Sequence, residues 1–179
     1  MARILDRSND YSPAPLAILR EFEAVIRVKF MSYVMNGGSK MVHIKDDGVF
    51  DAPVEKIWRY INDEHAHSHG SVKVTGMRDQ SANGLTLDLE VKRPDGATHT
   101  ESWKITMNPP KSMLTEVLSG PMKGSKHTHT YTPMGQKTKV EVEGEFVAQG
   151  LDEASTKKAV LAMLETVFNE DNANLKKFK

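Results

Sequence analysis

Two short segments of this chain hold residue types that can move protons or bind polar groups. In the first, His127, His129 and Tyr131 occupy alternate positions. Successive side chains of a strand point to opposite faces, so these three would share one face of a strand. If that face looks inward, they could orient a ligand carbonyl or hydroxyl, or act as general acid and base. If it looks outward, they are ordinary exposed polar residues, and the sequence alone does not fix this parity.

The second segment is a predicted strand over residues 99–107. His99, Glu101, Trp103 and Ile105 share one of its faces. A carboxylate on such a face lies near the open end of the sheet or has a partner, and it is a candidate base if it is buried. Trp103 is more typical of a core or a cavity wall than of a residue that stacks on a cofactor. The catalytic candidates are therefore Glu101, His129 and Tyr131.

A run of alternating histidines, His65, His67 and His69, precedes Gly70. Imidazole is a common metal ligand, and alternate residues of an extended segment project to one side. A stable zinc site, however, needs three converging ligands with supporting hydrogen bonds, which a flexible loop does not supply. The simpler interpretation is a solvated loop at the opening of a cavity, and a pH-sensitive gate is an alternative. The sequence therefore predicts no metal site and no cofactor.

Composition excludes several classes of function. The chain has 179 residues, of which 24 are basic and 24 acidic, so it lacks the basic surplus of a general nucleic-acid binder. It contains no cysteine, which excludes disulfides, thiolate catalysis and cysteine-ligated zinc. No apolar run approaches the length of a signal peptide or the roughly 20 residues that span a bilayer. We expect a cytoplasmic protein without stable membrane insertion.

Residues 1–40 are predicted to form an N-terminal arm and a helical extension, and residues 41–179 a single domain. Apolar residues recur at helical spacing from Leu16 to Met35, and Asn36 and two glycines follow as a typical helix end. Residues 26–30 also alternate with period two, so this part could extend as a strand. We expect the extension to pack on the domain or to form a homodimer contact.

The sequence of residues 41–179 predicts one strand, a short helix, a meander of antiparallel strands and a long helix, in that order. Asp51 is a candidate N-cap of the short helix, and Pro53 suits its first turn. Alternation is clearest over residues 138–148, and the last helix is predicted from Asp152 to Phe178. Strands joined by short turns are antiparallel neighbours. The predicted fold class is therefore α+β, with a curved antiparallel sheet of six to seven strands wrapped around a long C-terminal helix.

Two segments in this order resemble a known superfamily. Residues 51–58 read Asp-Ala-Pro-Val-Glu-Lys-Ile-Trp, and a later segment runs from Gly120 and Pro121 to residues 130–146. The chain from about residue 41 to 178 resembles the START-like or SRPBCC superfamily, which shares the helix-grip fold of the birch-pollen allergen. It is most similar to the branch of polyketide cyclases, dehydrases and lipid-transport proteins. These motifs indicate the fold but not the activity, because proteins with one fold can have many functions.

The resemblance implies a deep cavity between the sheet and the C-terminal helix. We expect it to bind a hydrophobic small molecule (lipid, quinone, sterol or polyketide-like), as a carrier or a sensor. One alternative is a cyclase or dehydratase that uses polar cavity groups, and a weaker one is a co-chaperone resembling activators of the Hsp90 ATPase. The expected ligand-binding residues are His99, Glu101, Trp103, Ile105, His127, His129, Tyr131, Val142, Phe146, Leu164 and Phe168.

Overall fold

The structure is a computed structural model that describes residues 40–63, 67, 69–92 and 96–179. Seven strands and two helices occur in it. In chain order they are β1 (Met41–Phe50), α1 (Val54–Ile61), β2 (Val72–Ser81), β3 (Gly84–Lys92), β4 (Thr98–Asn108), β5 (Ser112–Ser119), β6 (Lys126–Met134), β7 (Lys137–Val147) and α2 (Glu153–Lys177).

All strands belong to one antiparallel sheet with the order β1-β7-β6-β5-β4-β3-β2. Consecutive strands from β2 to β7 are neighbours because short turns join them. The first strand closes the order by pairing with the last, so that Ile44 lies opposite Gly144 and Gly48 opposite Val140. This curved sheet with its long C-terminal helix confirms the predicted α+β helix-grip fold.

The hydrophobic pattern of β7 decides which side of the sheet is covered. Val140, Val142 and Phe146 are buried on the face toward α2. The intervening positions carry charge and pair with β1 on the other face, where Lys45 Nζ lies 2.9 Å from Glu143 Oε2. Because side chains alternate, one strand supplies both the core and a solvated charged surface.

Helix α2 contacts the sheet through two separate hydrophobic clusters. Val160, near its start, packs with Ile44 and Phe146. Leu175, near its end, packs with Phe50 and the residues of α1. Fifteen residues of helix, about 22 Å at 1.5 Å per residue, separate these anchor points. The helix is therefore fixed at both ends, and the stretch between them is free to border a cavity.

The two helix starts differ from each other. Asp152 caps α2 as the sequence predicts, since its Oδ1 accepts a 2.7 Å hydrogen bond from the Ser155 amide. The prediction for α1 was wrong: its N-cap is Pro53, without a side-chain cap, and Asp51 instead forms a 2.7 Å ion pair with Lys137 Nζ. Because the helix begins at Val54, Asp51 lies two residues before the N-cap and its carboxylate makes no cap hydrogen bond to the first turn.

Two sequence predictions concern residues that lie outside the described ranges. They are the N-terminal extension, of which residues 1–39 are not described, and His65 of the histidine run. Among the described residues, no helix is both long enough and apolar enough to cross a membrane.

Candidate functional site

A cavity of about 830 Å³ lies between α2, α1 and strands β1, β6 and β7. Its wall is mainly apolar. The apolar side chains that line it include Phe50, Ile57, Val140, Val142, Leu164 and Phe168. The aromatic rings of Phe50 and Phe168 stack with centroids 4.7 Å apart, so sheet and helix meet at one side of the cavity. Charged residues border it elsewhere, among them exposed Lys157 and Lys158, which mark where the cavity meets solvent.

Strand β6 turns its histidine face inward. His127 and Tyr131 are buried, and His129 and Tyr131 line the cavity. The parity follows from the pairing with β7, which places His129 opposite Val142 and Tyr131 opposite Val140. Of the two parities that the sequence left open, the structure has the inward one. His127 lies just outside the cavity, where its ring stacks on Phe146 with centroids 4.8 Å apart.

These groups are uncharged at neutral pH. Burial lowers the pKa of His127 to about 4. Burial and the neighbouring imidazole of His127, 5.1 Å away between centroids, lower the pKa of His129 to about 3. Burial also raises the pKa of the Tyr131 phenol. The polar wall on β6 therefore offers neutral donors and acceptors rather than charges.

Glu101 lies in a different place. It is buried, and its two oxygens have partners on its own strand: Trp103 Nε1 donates to Oε2 at 2.7 Å, and His99 Nε2 lies 3.0 Å from Oε1. Gly120 allows this packing, since a Cβ added there would lie 2.6 Å from Glu101 Cγ. The carboxylate is therefore a satisfied member of a local group, about 20 Å along β4 from the row that contains His129.

The expected ligand-binding residues thus divide into two sets. His129, Tyr131, Val142, Leu164 and Phe168 line the cavity. The others share the inner face of the sheet or its core but do not line the cavity: His99, Glu101, Trp103, Ile105, His127 and Phe146.

Two polar residues of the cavity wall, Tyr60 and Asp171, were not among the site residues predicted from the sequence. Tyr60 is 1% exposed, and its hydroxyl donates a 2.9 Å hydrogen bond to Asp171 Oδ1. Burial raises the pKa of this phenol. A sequence signal for Asp171 did exist, because Leu164, Phe168, Asp171 and Leu175 have the spacing of one buried helix stripe and only one of them is charged. A carboxylate inside an apolar stripe indicates a polar partner.

The same carboxylate lies close to two residues of the histidine run. His67 Nε2 lies 3.7 Å, and His69 Nε2 3.8 Å, from Asp171 Oδ1. His69 Nδ1 also lies 3.0 Å from Glu170 Oε2. Burial lowers the pKa of His67, and the Asp171 carboxylate partly opposes this shift. His67 and His69 are therefore packed against α2 rather than solvated, contrary to the sequence-based interpretation of this run.

The fold and the cavity define a helix-grip protein of the START-like superfamily. Residues 41–177 match the family described as "Polyketide cyclase / dehydrase and lipid transport", and the chain belongs to that family. No protein of curated function matches the sequence.

Solved structures share the fold at low sequence identity. The aromatase/cyclase Zhui of Streptomyces sp. R1128 has a TM-score of 0.60 at 12% identity, with 76% of this chain and 92% of that one covered. A START superfamily protein of Mycobacterium smegmatis has a TM-score of 0.58 at 14% identity, covering 79% and 100%. The di-domain aromatase/cyclase BexL of the BE-7585A biosynthetic pathway has a TM-score of 0.62 at 18% identity, covering 93% and 61%. At these identities the likeness concerns the fold alone.

Proposed function

We propose that this protein binds an apolar small molecule in the cavity between α2 and the sheet, as a carrier or a sensor. The observation that carries the proposal is the cavity itself, since 830 Å³ falls within the range of roughly 300–1,000 Å³ typical of ligand sites. Lipid, quinone, sterol and polyketide-like molecules all suit a wall that is mainly apolar.

The polar groups of the wall would orient such a ligand. Neutral His129 can donate one hydrogen bond and accept another, and the Tyr131 phenol lies two residues away on the same face. A ligand with one carbonyl or hydroxyl among apolar atoms would satisfy these groups. A pure hydrocarbon would bury them without partners, which costs free energy.

Cyclase or dehydratase chemistry is the second candidate. It is favoured by family membership and by the presence of both His129 and Tyr131 on the cavity wall. Two observations weigh against it. A general base works best with a pKa near the operating pH, and that of His129 is lowered to about 3. Glu101, the carboxylate candidate, does not line the cavity. With an identified substrate, turnover that survives both Glu101→Gln and His129→Ala would remove these residues from catalysis.

Binding can be tested with 1-anilinonaphthalene-8-sulfonate, an aromatic anion that fluoresces in apolar sites, after organic extraction of the purified chain. Ala162 lines the cavity, so Ala162→Phe should fill part of it and weaken probe binding by at least about 10-fold. Ala159 is exposed on the same helix and lies outside the cavity, so Ala159→Phe serves as the matched control. Native mass spectrometry of the unextracted protein should detect a bound ligand.

Equal probe affinity in both alanine variants and the parent would contradict the proposal. So would native mass spectra that show only empty protein from several expression hosts.

A further inference from the structure

Three potential metal ligands converge where the connection after α1 meets α2. The ligand atoms of His67, His69 and Asp171 all lie within 4.8 Å of one another. Backbone hydrogen bonds hold both histidines, since the His67 amide donates to Asp63 O at 2.9 Å and the Val72 amide donates to His69 O at 3.2 Å. The histidines are therefore placed by the fold and not only by their proximity in sequence.

The spacing suits a shared ion better than direct contact. Both imidazole nitrogens lie too far from Asp171 Oδ1, at 3.7 and 3.8 Å, to form a hydrogen bond with it. Ligands bound tetrahedrally at about 2.1 Å from a metal lie about 3.4 Å from each other. The two distances to Asp171 Oδ1 would each have to shorten by only a few tenths of an ångström to reach this separation, and all three ligand atoms already lie within 4.8 Å of one another.

The surroundings orient the ligands as metal sites require. A proton on His69 Nδ1 would bond Glu170 Oε2 at 3.0 Å, which leaves Nε2, 3.8 Å from Asp171 Oδ1, unprotonated and able to bind a metal. The Tyr60 hydroxyl donates to Asp171 Oδ1 and fixes that carboxylate. The His67 ring packs edge-to-face on both Tyr60 and His69, with centroids 5.1 Å away in each case. Such outer partners hold metal ligands in place and commonly affect affinity by 10–100-fold.

We propose that His67, His69 and Asp171 bind a divalent transition-metal ion, such as Zn²⁺, at the wall of the cavity. Two imidazoles and one carboxylate are a ligand set of Zn²⁺ and of Fe²⁺, and three protein ligands leave at least one coordination position open. Asp171 lines the cavity, so a polar atom of a cavity ligand could occupy that position. This last step rests on the proposed function, whereas the metal site itself does not.

Titration of the full chain, free of affinity tags and treated with EDTA, tests the site with Zn²⁺ alone in a calorimeter. We expect one ion per chain. His67→Gln and Asp171→Asn should each weaken Zn²⁺ binding by at least about 10-fold, and Glu170→Gln by about 10-fold. His43→Gln is the matched control, because His43 Nδ1 also lies close to a carboxylate, 2.9 Å from Glu145 Oε1, but on the exposed face of β1. It should leave the affinity unchanged.

Asp171→Asn is the decisive variant. Asp171 lies on α2, about 100 residues from the histidines, so it can contribute only in the folded protein. Zn²⁺ affinity that survives this substitution would show that the histidine run binds metal by itself and would overturn the proposal. Absence of Zn²⁺ binding at micromolar concentration would also overturn it. Melting curves in EDTA verify that each variant is folded, and probe binding by the EDTA-treated parent tests the proposed function separately.

Discussion

The Tyr60 hydroxyl donates a hydrogen bond to Asp171 Oδ1 across the cavity wall, at 2.9 Å, and so joins the two helices. Asn174 Nδ2 donates in turn to the Tyr60 oxygen at 3.3 Å. One side of the cavity is therefore closed by a polar network on α1 and α2, while the facing side carries the neutral polar groups of β6.

Loss of the Tyr60 hydroxyl should destabilise the protein. Tyr60→Phe removes the donor to a largely buried carboxylate, and an unsatisfied buried group costs about 1–3 kcal/mol. The free energy of unfolding, measured with urea in EDTA, should fall by that amount. Tyr131→Phe is the control, since no described residue hydrogen-bonds the Tyr131 hydroxyl. Equal losses in both variants would contradict this account of the network.

Stability should decline in mild acid because of the buried imidazoles. The pKa is lowered to about 4 at His127 and about 3 at His129, compared with 6.5 for a free imidazole. The unfolded chain therefore binds more protons below about pH 6.5, and the free energy of unfolding falls as the pH drops from there toward 4. Within this window each histidine lowers the free energy of unfolding by up to about 1.4 kcal/mol for each pH unit of acidification. Above about pH 6.5 this loss of stability is absent. His127→Phe, which preserves stacking on Phe146, should reduce the slope of urea stability against pH; an unchanged slope would refute the assignment to His127.

Gly144 should not tolerate a side chain. A Cβ there would lie 2.5 Å from His127 Cα and directly against the carbonyl oxygen of Lys126. Gly144→Ala must push β7 away from β6, and such overpacking costs about 1–3 kcal/mol. Gly76→Ala on the edge strand β2 is the control, because its nearest contact would be the Asp88 carboxylate at 3.3 Å. Chemical denaturation should show less than about 1 kcal/mol change there, and similar losses at both sites would contradict the prediction.

The two aspartates before the helices should behave differently. Asp152→Ala removes the N-cap hydrogen bond of α2 and should cost about 1 kcal/mol in the free energy of unfolding. Asp51→Ala removes only an exposed ion pair with Lys137 and should cost less. Thermal melts at low and high salt can separate them, because salt screens the ion pair but not the cap. A larger loss at Asp51 would mean that this residue acts as a cap after all.

Sequence patterns predicted the elements well where one face of a strand or helix is uniformly apolar. The alternation over residues 138–148 and the extent of α2 appear in the structure nearly as expected. The pattern failed at Asp51, because the helix begins at Val54 and its N-cap is Pro53, two residues after Asp51. It also failed for the histidine run, whose partner Asp171 is remote in sequence.

The fold could be predicted from the sequence, because alternation, turn residues and helical periodicity are local signals of which side chains avoid water. The polar residues that come into contact could be identified only from the packing of the folded chain. Strand pairing turned His129 and Tyr131 into the cavity and left Glu101 bonded within its own strand. Helix docking brought Asp171 to Tyr60 and to the histidines. Such encounters depend on how separate elements pack, and periodicity within one element carries no information about its partners.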